Sequence, residues 1–247
     1  MRTPRLIALI MPASFALAAS VSATPAEDVI AAAAKLGNAP NFAWTVTIEI
    51  ANSQFPAMPS KGVTEKGGYT VVTTEFNGNT RQTVRKGEQM VMQNRDGQWM
   101  TLDELRQQTT GGGRGGFMTM GGGGQLDFAK DAASLAGKLK NVKEVDGAIT
   151  GTLTAEDAAP LLTFGRGGRS GQGGGQTPPP APKNAAGNVK FWLKDGELVK
   201  YAVNAKGTIT TPNGDEREID LTTTTEIKDV GHTKVTVPDE AKKKFVD

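Results

Sequence analysis

One histidine and no cysteine in 247 residues leave little from which to build an active site. His232 lies in Gly231-His232-Thr233, ahead of a short alternating run, where it reads as a turn residue rather than a base. Without cysteine there is no thiolate nucleophile, no disulfide and no thiolate-ligated metal. Ser170 has glycine neighbours, but Gly168-Arg169-Ser170-Gly171 lacks the G-x-S-x-G spacing of a nucleophile elbow. No G-x-x-x-x-G-K-[ST] phosphate loop is present, and the glycine runs are not framed by strand and helix as a dinucleotide site requires. Asp215, Glu216, Glu218 and Asp220 crowd a turn, where a solvated loop accounts for them better than a calcium site. The remaining carboxylates are scattered, with no paired apolar setting suited to acid–base work. The expectation is a protein that is not an enzyme and holds no metal and no cofactor.

The spacing that does stand out is apolar. In Phe42-Ala43-Trp44-Thr45-Val46-Thr47-Ile48-Glu49-Ile50 every even position is large and apolar, and the odd ones are Ala, Thr, Thr and Glu. Period-two alternation over nine residues makes a strand with one face on a core or cavity and one toward water. Phe42, Trp44, Val46, Ile48 and Ile50 therefore form either a plain hydrophobic core or the wall of a ligand cavity.

Charge excludes other partners. The chain carries 28 basic and 26 acidic residues. Its first 23 residues read as a secretory signal peptide: Arg2 and Arg5 form a positive start, Leu6 to Leu17 an uncharged apolar run, and Val21-Ser22-Ala23 a small-residue cleavage site. Cleavage after Ala23 leaves 26 basic against 26 acidic residues, a balance that argues against capture of nucleic acid or an anionic membrane. The apolar run is shorter than the roughly 20 residues a membrane span needs, and a lipid anchor would need a cysteine. The mature protein is expected in the periplasm, neither membrane-spanning nor lipid-anchored.

The elements that must position the stripe follow from turn and cap signals. Thr24, Pro25 and Glu27 open a helix that Gly37 ends. Asn77-Gly78, Lys86-Gly87, Asp96-Gly97, Asp146-Gly147, Asp195-Gly196 and Asn213-Gly214 punctuate β-rich runs at Tyr69–Phe76, Thr80–Arg85, Gln89–Gln93, Val189–Lys194, Glu197–Ala205 and Glu216–Lys228. Hairpin after hairpin predicts an antiparallel meander. Short helices are expected after Thr101 and Thr154, from Pro238 to about Phe245, and through Leu126, Ala129, Ala133, Leu135 and Leu139. Two further stretches stand apart. Residues 111–124 hold nine glycines in fourteen and 165–175 seven in eleven, the latter running into a Pro-rich stretch to Pro182. Little apolar surface offsets the ordering entropy there, so 111–124 and 165–182 read as flexible insertions in one domain spanning 24–247. Their Arg114-Gly115-Gly116 and Arg166-Gly167-Gly168 triplets are isolated in a balanced chain and read as spacer rather than RNA-binding segments.

A leading helix followed by Phe42-Ala43-Trp44-Thr45-Val46 resembles the LolA-like superfamily of envelope proteins, which includes periplasmic lipoprotein carriers and mycobacterial lipid-binding lipoproteins. Phe191-Trp192-Leu193-Lys194-Asp195-Gly196-Glu197-Leu198 is similar to that family's aromatic strand, turn and return strand. Thr223 to Val230, then Thr233-Lys234-Val235-Thr236-Val237-Pro238-Asp239-Glu240-Ala241, resembles its closing strand and ending. The resemblance covers roughly residues 40–100 and 188–245. It implies an α+β fold: a curved, unclosed antiparallel β-sheet, a half-barrel, with a few helices covering its concave face around a hydrophobic cavity. The implied role is binding or carrying a lipid or lipoprotein acyl chain. A non-catalytic periplasmic scaffold, with a filled core and Gly-rich contact arms, is the alternative.

Overall fold

A computed structural model of the chain describes residues 24–53, 58–76, 78–109, 126–163, 180–211 and 214–245. The leader 1–23, the insertion 111–124 and all but the last three residues of 165–182 lie outside the described residues.

Strand β1 (Asn41–Ile50) sits at the centre of one eleven-stranded sheet. The chain walks outward through β2 (Met58–Glu65), β3 (Tyr69–Phe76), β4 (Asn79–Lys86), β5 (Gln89–Gln93) and β6 (Trp99–Thr101) to one edge. Helices α2 (Leu102–Thr109) and α3 (Phe128–Lys138) then lead to the opposite edge. There β7 (Lys140–Val145) and β8 (Ala148–Leu153), helix α4 (Ala155–Leu162), and β9 (Lys183–Lys194), β10 (Glu197–Thr210) and β11 (Glu216–Lys228) return the chain to the centre. The strand order is β6-β5-β4-β3-β2-β1-β11-β10-β9-β8-β7, and every neighbouring pair is antiparallel. Among the described residues the sheet is a curved half-barrel with β6 and β7 at its edges.

Local chemistry explains the joints. Helix α1 (Pro25–Asn38) starts on a reciprocal capping box: Thr24 N–H donates to Glu27 Oε2 at 2.7 Å, and Glu27 N–H donates to Thr24 Oγ1. Thr101 and Glu104 repeat the device at α2. Asp146-Gly147 and Asp195-Gly196 have positive φ at both residues, the geometry that lets a two-residue hairpin follow the sheet's twist.

The helices α1, α3 and α4 cover the face that carries Trp44, the inner face of the sheet. The main core lies between them and β1, β8, β9, β10 and β11, centred on Val29, Phe128, Val189, Phe191 and Leu198. A smaller cluster of Met90, Met92, Met100 and Leu105 continues the same face toward the β6 edge.

The outer face has a core of its own, which the expectation of helices on one face did not contain. Val63, Val71, Val84 and Val91 stand directly across from one another on β2, β3, β4 and β5. Segment 233–245 closes over them with Val235, Val237, Ala241 and Phe245. Its helix α5 is a single turn, Asp239–Lys242, shorter than the predicted run to Phe245. The C-terminal Val-x-Val-Pro-x-Glu-Ala sequence thus seals the outer face of the half-sheet whose inner face turns toward the stripe.

Candidate functional site

The five stripe residues do share one face, but they do not share one environment. Phe42 and Trp44 are buried, Val46 is partly buried against the main core, Ile48 is half-buried and Ile50 is 44% exposed. Cover is thus lost in three steps along the stripe: a buried pair, a half-buried pair and an exposed end.

The sealed end is built by three contacts. Phe128, from the first turn of α3, lies over Trp44 at 4.8 Å between ring centroids and meets Phe42 edge-on at 6.3 Å. Asp127 caps α3 by accepting from Lys130 N–H at 2.9 Å, which fixes where Phe128 points. On the sheet side, Gly62 pairs with Trp44 across β1 and β2, and a Cβ built there would collide with the indole ring. The indole N–H donates to Thr64 Oγ1 at 3.0 Å. Trp44 is therefore clamped between Gly62 and Phe128, as solid core.

The open end is flanked by different chemistry. Val46 pairs with Ser60 on one side and Thr225 on the other, and Ile48 and Ile50 pair with Thr223 and Leu221. Ser60 and Thr74 share a hydroxyl hydrogen bond at 3.3 Å. Thr225 is buried and shares a hydrogen bond with Tyr201, whose hydroxyl burial pushes far above its ordinary pKa. Leu221 and Thr223 are half-buried, so the apolar file broadens where its cover thins.

The sequence reading missed Phe128, the residue that seals the stripe. It took Leu126, Ala129, Ala133, Leu135 and Leu139 as the buried face of α3; Leu139 is buried and the other four pack partly buried against the core, while the fully buried residues of the helix itself are Phe128, Ala132 and Ala136. Ala129 instead faces α1, its Cβ 3.2 Å from where a side chain on Gly37 would begin. The i, i+4, i+8 spacing of Phe128, Ala132 and Ala136 was present, but alanine carries little apolar signal.

Two other readings resolve differently from expectation. Glu216, Glu218 and Asp220 are strand residues on the outer face of β11, not a loop. Lys183 holds Glu216 at 2.6 Å, and Lys206 holds Asp220 at 2.8 Å. Hydrogen bonds from Lys206 and Asn204 hold the Asp220 carboxyl below its usual pKa. Among the described residues no three His, Cys, Asp or Glu side chains gather as metal ligands. His232 stands exposed in a turn.

A separate concavity of about 630 Å³ lies at the β6 edge, away from the stripe, lined by Gln98, Trp99, Met100, Glu104, Gln107, Glu240 and Lys244. The Glu104–Lys244 ion pair, at 2.7 Å, joins α2 to the C-terminal segment there. No helix among the described residues is long and apolar enough to cross a membrane.

No family model matches the chain, and no curated protein matches it. Among solved structures it is similar to a LolA superfamily protein from Nitrosomonas europaea, over 87% of this chain and 96% of that one, with 9% sequence identity and a TM-score of 0.32.

Proposed function

We propose that this chain is an exported envelope protein that binds or carries a hydrophobic ligand, a lipid or lipoprotein acyl chain, along the open end of the β1 stripe. The graded exposure of the stripe carries the reading. One exposed isoleucine on a surface needs no explanation. Here it ends a continuous apolar file that runs from the buried Phe42 and Trp44 through the half-buried Val46 and Ile48 to the exposed Ile50. An acyl tail laid on Val46, Ile48 and Ile50 completes that cover and gains roughly 25 cal/mol for each Å² of apolar surface removed from water. The role is binding without catalysis, and it needs no metal or cofactor. The n-region Arg2 and Arg5 and the Val21-Ser22-Ala23 site support a periplasmic location after cleavage.

A scaffold with a filled interior is the second reading, favoured by the clamped packing of Trp44 between Gly62 and Phe128. Titration with a fluorescent acyl probe separates the two. The carrier reading expects saturable binding by the parent protein and its loss in Ile50→Lys, with unchanged melting because Ile50 is already exposed. No saturable binding by the parent leaves the scaffold.

A further inference from the structure

Alternation along the sheet sorts charge as well as hydrophobicity. Residues paired directly across strands share a face, and no register shift interrupts the pairing from β6 through β1 to β11. Following Val46 across Ser60 and Thr74 leads to Arg81 on β4. Following Phe42 across Thr64 and Thr70 leads to Arg85, four residues along the same strand face. The three carboxylates of β1 to β6 point the other way: Glu49 is itself an odd position of β1, Glu65 pairs with the odd position Asn41, and Glu75 pairs with Thr80. β11 repeats the partition, with Glu216, Glu218, Asp220 and Glu226 outward and Arg217 inward. Asp127 and Asp131 of α3 act on Tyr201 of β10, which lies across β1 from β4. Glu104 of α2 is held by Lys244.

We infer that the inner face selects an anionic single-chain amphiphile, with the tail on Val46 and Ile48 and a carboxylate or phosphate head at Arg81 and Arg85. The inference rests on the acyl-binding reading above and adds the headgroup to it. Three strand spacings separate β1 from β4, about 14 Å, a length that a medium acyl chain spans. A guanidinium matches a carboxylate or phosphate with two parallel N–H bonds. Arg81 and Arg85 are both half-buried, and desolvation lowers the Arg85 pKa from its ordinary value, the mark of a cation moved out of water. Both already have interactions within the chain, and five N–H donors on each allow a ligand anion to join them.

The test titrates the full chain with a fluorescent fatty acid, its methyl ester and an alkyl phosphate of equal length. The acid, the phosphate or both should bind at least about tenfold more tightly than the ester, the low end for a hydrogen bond to a charged group. Whichever charged probe is preferred identifies the head. Arg81→Gln and Arg85→Gln should erase the preference while leaving ester affinity unchanged, Arg81→Lys should restore part of it, and melts of each variant confirm folding. The parent's own preference needs no variant. Equal binding of all three probes overturns the headgroup inference and leaves the acyl reading standing. A preference that survives both glutamine variants overturns it as well, because the anion then sits elsewhere. No binding of any probe overturns both.

Discussion

Gly62 and Trp44 decide how much of the stripe is core. The glycine has no turn to make; it is there because the indole occupies the space a side chain would fill. Phe128 blocks retreat on the other side of the ring. Gly62→Ala is therefore expected to lower stability by about 2 kcal/mol through overpacking, read by denaturant unfolding. Thr64→Val, which removes the oxygen that accepts from the indole N–H and from the Thr70 hydroxyl, should cost closer to about 1 kcal/mol. A neutral Gly62→Ala would mean the ring has room to move, and the sealed end would then be part of the cavity. The same glycine hid β2 from the sequence. Met58–Glu65 contains Pro59 and Gly62 and two charges, a composition that reads as loop, yet β1 holds it as a strand through eight register positions.

At the scale of elements, local signals were legible and tertiary ones were not. The capping boxes at Thr24 and Thr101 and the paired positive-φ turns depend on neighbours a few residues apart, and they form as read. The strands at 69–76, 89–93 and 216–228 match their predicted bounds because alternation or β-branching runs through them. Edge strand β7, Lys-Asn-Val-Lys-Glu-Val, is almost wholly exposed and has no pattern to find. The outer core was invisible because its halves, valines at 63–91 and 235–237, are far apart in the chain. Helix α3 gives the sharpest test of the corrected packing. Ala129 faces α1, so Ala129→Phe should wedge the two helices apart and cost roughly 1–3 kcal/mol, while acyl-probe affinity, set on β1, should change little in protein that remains folded. The Glu104–Lys244 pair gives a second test. The hydrogen bond from Lys244 holds the Glu104 carboxyl below its usual 4.5. A depressed folded-state value means its stabilisation is present above about 4.5 and is lost as pH falls through the lower folded value. Amide exchange in 239–245 should accelerate on acidification through that window, and Glu104→Gln should flatten the dependence.

At the scale of the whole molecule, the described residues form a single sheet used on both faces. Segment 233–245 closes the outer face of the β2–β5 half, while α1, α3 and α4 cover the inner face from β1 toward β9. What this leaves is the graded end of β1, with apolar residues below a clamped tryptophan and arginines three strands away. This arrangement is the central claim: an amphiphile lies across the inner face from β1 to β4. A photoactivatable fatty acid with its reactive group near the chain end, cross-linked to the full chain and mapped by mass spectrometry, tests it most directly. The account predicts saturable labelling at Ile48, Ile50 or Leu221, competed by unlabelled fatty acid. Labelling confined to the β6-edge concavity around Trp99 and Met100, or none that saturates, would contradict it.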